Sequence, residues 1–169
     1  QVQGKVRSLQ STNHDVITAA PGQRTAVALT GIDKELLVRG GVIADRNDLS
    51  HFADHPVLAV YIQMLPESPV PLEDRRRVFL MVGTTEMEGE VRLFESTELK
   101  AGESGIAFIR PDQPMLTHAG DHFILRLPTP MVTLGGGKVL DHLERFPRRR
   151  ELADFAYLND RYGDDLGTW

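Results

Sequence analysis

An all-β chain in two blocks, finished by a short helical tail, is the fold class this sequence predicts. Three observations carry it. Apolar residues recur with period two along most of the chain, the runs are short and bounded by Gly, Pro, Asn or His, and helical spacing appears only after Pro147. The length of 169 residues suits one ordinary domain or two small ones, and a 41% hydrophobic content is enough to build a core.

The first block opens with residues 5–10 (KVRSLQ), 15–19 (DVITA) and 24–30 (RTAVALT), each alternating or rich in β-branched residues. These read as antiparallel strands. Between the second and third, Pro21-Gly22 marks a turn: proline presets φ at the first central position and glycine accepts a positive φ at the next. Residues 32–37 supply one helical turn, ended at Gly40-Gly41 before a short strand at 42–44. Residues 45–56 are polar, aperiodic and closed by proline, as a linker reads. The second block follows, with apolar strands at 57–64, 78–82, 90–94, 105–109 and 123–127, whose number and spacing predict a barrel or a sandwich. In the tail, residues 151–158 place Leu152, Phe155 and Ala156 on one helical face.

Composition removes several function classes. No cysteine is present, so disulfides, thiolate zinc sites, iron–sulfur clusters and cysteine nucleophiles are all excluded. No run of about 18 apolar residues and no signal-peptide pattern occur, which predicts a soluble chain and fits the cytoplasm. The net charge of −5 opposes phosphate binding on average, but it is uneven: +1 over residues 1–52, −5 over 53–141 and −1 over 142–169. Two arginine triplets, Arg75-Arg76-Arg77 and Arg148-Arg149-Arg150, concentrate cations locally, either as phosphate contacts or as solvated loop arginines.

Few motifs point to chemistry, and no catalytic or metal site is assigned. The run Leu134-Gly135-Gly136-Gly137-Lys138-Val139 has Val132 where a phosphate loop needs its first Gly, five residues before Gly137, and Val139 where it needs Ser or Thr, so it reads as a bend or bulge at a barrel corner. His51/His55 and His118/His122 have the four-residue spacing of a helical zinc pair, but in contexts that read as loops. Glu86, Glu88 and Glu90 alternate, which places them together on one strand face, read as a solvated outer face. Arg24 opens a strand whose Ala26, Ala28 and Leu29 read as half-buried, which sets its guanidinium near a barrel rim. There it either grips an anion or serves as a salt-bridged structural residue.

Residues 5–10 (KVRSLQ), 20–31 (APGQRTAVALTG), 38–43 (VRGGVI), 125–130 (LRLPTP) and 134–141 (LGGGKVLD), in that order, resemble the selenocysteine-specific translation elongation factors. The first block alone is similar to the second β-barrel of translational GTPases in general. The LRLP and GGGKVLD segments point to the selenocysteine branch. The resemblance implies two small antiparallel β-barrels of translation-factor type: residues 1–46 as the end of an incomplete second-domain barrel, 47–55 as linker, 56–141 as the third-domain barrel, and 142–169 as a helical tail toward a winged-helix region.

It also implies function. A GTPase domain of the same parent chain would precede residue 1 and hold GTP and magnesium. This chain would hold no cofactor, would not be an enzyme, and would bind selenocysteinyl-tRNA for delivery to the ribosome. Arg24 matches the arginine of the family's aminoacyl pocket, where a guanidinium tells an anionic selenol from a neutral hydroxyl by charge. Ser8 and Gln10, on the facing strand, are candidates for the terminal adenosine. Arg75, Arg76, Arg77, Arg92 and Arg110 are the candidates for phosphate contacts. The alternative is a ribosome- or protein-contacting barrel module of another translational GTPase.

Overall fold

The structure, a computed structural model, describes residues 2–46, 56–113, 115–148, 151, 154, 155, 157 and 158. The chain divides into two compact units, Gln1–Val38 and Arg39–Trp169.

In the first unit β1 (Lys5–Ser11), β2 (His14–Val16) and β3 (Thr25–Thr30) form an antiparallel sheet in the order β2-β1-β3. Thr12 and Asn13, with φ of 53° and 63°, make the two-residue β1–β2 turn. The Pro21-Gly22 turn forms as expected, with Gly22 at φ 79° and the Gln23 N–H donating to the Ala20 carbonyl at 3.2 Å. Cross-strand register sorts the sheet into two faces. Val6, Leu9, Val16, Val27 and Leu29 share one, and Ser8, Gln10, Ala26 and Ala28 share the other. Three strands cannot close on themselves, so the second barrel implied by the resemblance stands here as an open sheet, and Ala26 and Ala28 are exposed rather than half-buried. The helical turn is a 3-10 turn, Lys34–Leu36, in which the Asp33 carboxylate accepts from the Glu35 N–H at 3.2 Å.

The expected strand at 42–44 does not form. Gly40 takes φ 90°, which breaks an extended run, and the segment belongs with the second unit: Arg39 Nε donates to the Thr84 carbonyl at 3.0 Å. The expected division after residue 46 thus lies eight residues beyond the observed one, and the linker at 47–55, with His51 and His55, falls outside the described residues.

The second unit contains β4 (Val57–Met64), β5 (Leu72–Glu73), β6 (Arg77–Val82), β7 (Thr85–Leu93), β8 (Glu98–Leu99), β9 (Ser104–Pro111), β10 (His122–Arg126) and β11 (Thr133–Leu143). Six of them close into one antiparallel barrel in the order β10-β11-β4-β9-β7-β6, while β5 and β8 pair separately. Inward residues such as Leu58, Val60, Ile62, Leu80, Val91, Ile109 and Leu125 fill the interior. A second apolar cluster lies outside it, where Val57, Ala59, Phe94, Ile106, Phe108 and Leu140 are covered by Phe146, Phe155 and Leu158. β4 is therefore apolar on both faces, which is why VLAVYI shows no alternation.

The glycine run is not a corner. Gly135, Gly136 and Gly137 lie inside β11, the longest strand at 11 residues, paired with β10 on one side and β4 on the other. A Cβ on Gly135 would lie 2.2 Å from the Gln63 carbonyl oxygen, and one on Gly137 would lie 1.8 Å from that of Tyr61. Backbones approach closely here, and only glycine permits it. Over the expected tail, residues 151, 154 and 155 are in 3-10 conformation and 157 and 158 in α-helical conformation, while Arg149, Arg150, Leu152, Ala153, Ala156 and residues 159–169 lie outside the described residues. No helix among the described residues is long and apolar enough to cross a membrane.

Candidate functional site

Ser8 and Gln10 lie on the small-residue face of the first sheet, opposite Ala28 and Ala26. Gln10 Nε2 donates to Asp15 Oδ1 at 2.8 Å, which orients its amide across the β1–β2 pair. Arg24 stands one residue before β3, at the same end of the sheet, and Ser11 Oγ donates to its carbonyl at 3.4 Å. Its side chain is exposed and engages no carboxylate among the described residues. The small alanine side chains leave this face open beside two hydrogen-bonding groups and a cation. The structure thus places Ser8 and Gln10 on one face of the three-stranded sheet and Arg24 one residue before its strand β3.

Arg75, Arg76, Arg77, Arg92 and Arg110 present a contrast, because each of these five meets a carboxylate. Arg77 is the most constrained: Nη1 donates to Asp112 Oδ1 at 2.7 Å, Nη2 to Asp112 Oδ2, and Nη2 also to Glu88 Oε2 at 2.9 Å. The Arg77 hydrogen bonds hold the Asp112 carboxyl below its ordinary range, and Asp112 with Glu88 pushes the guanidinium further up. Arg76 Nη1 donates to Glu73 Oε2 at 3.3 Å, and Arg75 Nε lies 3.8 Å from Asp74 Oδ2.

Arg92 and Arg110 share a single carboxylate. Arg92 Nε donates to Glu90 Oε1 and Arg110 Nη2 to Glu90 Oε2, both at 3.0 Å. Both guanidiniums also sit on the Phe146 ring, 4.1 Å and 4.9 Å from its centroid. Beside it Arg145 binds Glu151 bidentately at 2.7 Å and 3.1 Å. Glu86, Glu88 and Glu90 do share the outer face of β7, two of them in ion pairs. Sequence reasoning missed Phe146, Asp112 and Glu151. Their partners lie on other strands or loops, and only the adjacency of Phe146 to Arg145 gives a local hint.

Glu151 is held down to about 2, chiefly by the Arg145 hydrogen bonds and then by the Arg148 backbone N–H, at 2.9 Å. A depressed folded value means the pair stabilises the fold above the ordinary value of 4.5, and that contribution is lost as pH falls toward 2. Carboxyl NMR titration is expected to give Glu151 an apparent pKa near 2, returning toward 4.5 in Arg145→Gln. An unchanged value in that variant would remove Arg145 as the cause.

With this geometry the chain can be set beside known proteins. The family model described as selenocysteine-specific elongation factor, beta-barrel domain, matches residues 59–145, just over half of the chain. The chain belongs to the selenocysteine-specific elongation factor family. The matched span runs from β4 through β11, the closed barrel itself. The selenocysteine-specific elongation factor of Desulfomicrobium baculatum is 31% identical over 164 residues, covering 96% of this chain and 25% of that protein. Its counterpart in Methanocaldococcus jannaschii is 26% identical over 153 residues, 81% of this chain and 32% of that protein. The chain therefore spans about a quarter to a third of the family members it matches. The fold resembles that of the translation elongation factor SelB from Methanococcus maripaludis in its apo form, with a TM-score of 0.68 and 20% identity over 83% of this chain and 34% of that one.

Proposed function

We propose that this chain is the aminoacyl-tRNA-binding β-barrel portion of a selenocysteine-specific elongation factor that delivers selenocysteinyl-tRNA to the ribosome. The observation that carries the reading is Arg24: an exposed residue with no carboxylate partner among the described residues, one residue before the strand whose open face also presents Ser8 and Gln10. Strands from elsewhere in the factor would wall this face and desolvate the arginine. In such a pocket a selenolate, ionised at neutral pH, is held by a charge-assisted bond that a seryl hydroxyl cannot match. Ser8 and Gln10 offer polar atoms to the terminal adenosine.

GTP and magnesium are assigned to the factor's GTPase domain, and no catalytic residue is assigned within this chain. The glycine run does not fit a nucleotide, because neighbouring carbonyl oxygens fill the space a phosphate would need and no helix begins after Lys138. The factor would act in the cytoplasm, with tRNA, ribosome and its own GTPase domain as partners.

The test is Arg24→Ala in the full-length, GTP-loaded factor. Selenocysteinyl-tRNA binding should weaken about tenfold to a hundredfold, as expected for a lost charge-assisted hydrogen bond, while seryl-tRNA changes by less than about threefold. Equal losses for the two would remove Arg24 from the recognition role. No discrimination at all, together with ribosome binding, would assign the barrels to ribosome or protein contact.

A further inference from the structure

Where β11 ends at Leu143, the chain does not turn away from the barrel. Phe146 is half-buried and packs against the outer apolar cluster, and Pro147 after it confines its backbone to extended conformations. Two guanidiniums lie over its ring, with Arg92 Cζ 4.1 Å and Arg110 Cζ 4.9 Å from the centroid. Strand register explains why both reach it. In the β7–β9 pair Glu90 stands opposite Arg110 and Arg92 opposite Phe108, so the two arginines are diagonal neighbours beside the buried Phe108 ring. Glu90 bonds both guanidiniums, and its neighbour on β6 is Arg77, which in turn bonds Glu88 and Asp112. Asp112 acts on Arg110 as well as on Arg77. Arg77, Arg92 and Arg110 are thus balanced by Glu88, Glu90 and Asp112, and a network of this kind holds exposed side chains better than an isolated pair does.

The segment after β11 is fastened at two further points. Arg145 grips Glu151 bidentately at 2.7 Å and 3.1 Å, and the Arg148 N–H donates to the same carboxylate at 2.9 Å, so the turn from 145 to 151 is closed on itself. Beyond it Phe155 meets the Phe108 ring edge-on at 5.5 Å, Leu158 is 1% exposed, and Tyr157 Oη donates to Asp141 Oδ2 of β11 at 3.2 Å. A flexible tether is polar and solvated; this run is anchored by aromatic and apolar side chains near its start and at its end.

We infer that Arg92 and Arg110 are positioning residues that clamp Phe146, making the run from Phe146 to Leu158 a rigid arm of the barrel, so that any part of the factor joined beyond it leaves the barrel in a set direction. The occupant that this patch of outer wall fits is the chain's own aromatic segment. The inference goes beyond the tRNA-binding reading and does not rest on it.

The sequence contains no cysteine, so paired nitroxide labels can be introduced without background. Distance distributions are measured by electron spin resonance in the 169-residue chain, between Glu86→Cys on β7 and Asp154→Cys on the arm, both exposed positions. Gln63→Cys/Glu86→Cys supplies a reference pair within the barrel wall. The 86–154 distribution should be as narrow as the 63–86 one. Arg92→Gln/Arg110→Gln should broaden it by about twofold or more while leaving the reference pair unchanged, because only the clamp is released. Phe146→Ser, which alters no barrel strand, should do the same and decides the matter if the arginine variant disturbs the reference pair. Arg75→Gln/Arg76→Gln should change neither distribution. A broad 86–154 distribution in the parent chain overturns the rigid arm. Unchanged width in the Phe146 variant, or equal broadening in the Arg75/Arg76 variant, overturns the clamp. No RNA is present in the measurement, so neither result bears on the tRNA reading.

Discussion

Replacing Gly137 with alanine is expected to destabilise the 169-residue chain by about 3 kcal/mol or more, at the upper end of the cost of overpacking. The new methyl would sit 1.8 Å from the Tyr61 carbonyl oxygen, 2.8 Å from the carbonyl carbon and 2.9 Å from Phe123 Cζ. Two of those atoms are backbone of β4, which pairs with β11, so relief requires the strands to part and their ladder hydrogen bonds to lengthen. Gly22→Ala is the contrasting case. Nothing lies within 4 Å of its added methyl, so its cost is only that of a left-handed backbone at φ 79°, about 1–2 kcal/mol. Urea denaturation of both variants checks the ranking, and equal midpoint shifts would refute the steric account.

Phe108→Ala is the second large effect, expected at about 3–5 kcal/mol for a buried phenylalanine. Phe108 is 1% exposed and points outward from β9, with Phe94 and Phe155 meeting its ring edge-on at 6.0 Å and 5.5 Å. The barrel interior does not contain it; the outer cluster does. Hydrogen exchange should therefore show earlier loss of protection at the outer cluster, over residues 140–146 of β11 and the segment after it, than over β6 and β10. Leu80→Ala, inside the barrel, should cost about 2–5 kcal/mol and open those two strands instead. Identical exchange patterns in the two variants would merge the clusters into one cooperative core.

What could be read from the sequence follows from how each feature is encoded. The strands at residues 5–10, 24–30, 57–64, 78–82 and 105–109 were legible because alternation, or a short β-branched apolar run between turns, is a local signal. β11 was not, since three glycines are poor strand formers, and their reason for being there lies on β4 and β10. The two-residue β5 and β8 carry no periodicity. A single closed barrel instead of two follows from counting strands, which the resemblance could not do for residues 1–38. Among the candidate site residues, local setting marked Arg24, and the resemblance supplied its role. The carboxylates beside the barrel arginines were invisible because pairs such as Arg77 and Asp112 lie 35 residues apart.

β4 carries a further consequence. In most strands a one-residue slip is forbidden because it would swing the apolar row into water. Val57 through Ile62 have apolar neighbours above and below, so a slip would trade one oily surface for another with little penalty. The discriminating element is the partner strand. Only when Gly135 and Gly137 face the Met64 and Ile62 positions do the backbone atoms of residues 61–64 meet glycines; shifted by one, the side chain of Leu134 or Lys138 would be driven into a carbonyl. Alignment of the barrel is thus written in missing side chains, and a sequence comparison that weighs only hydrophobicity would overlook where it is stored.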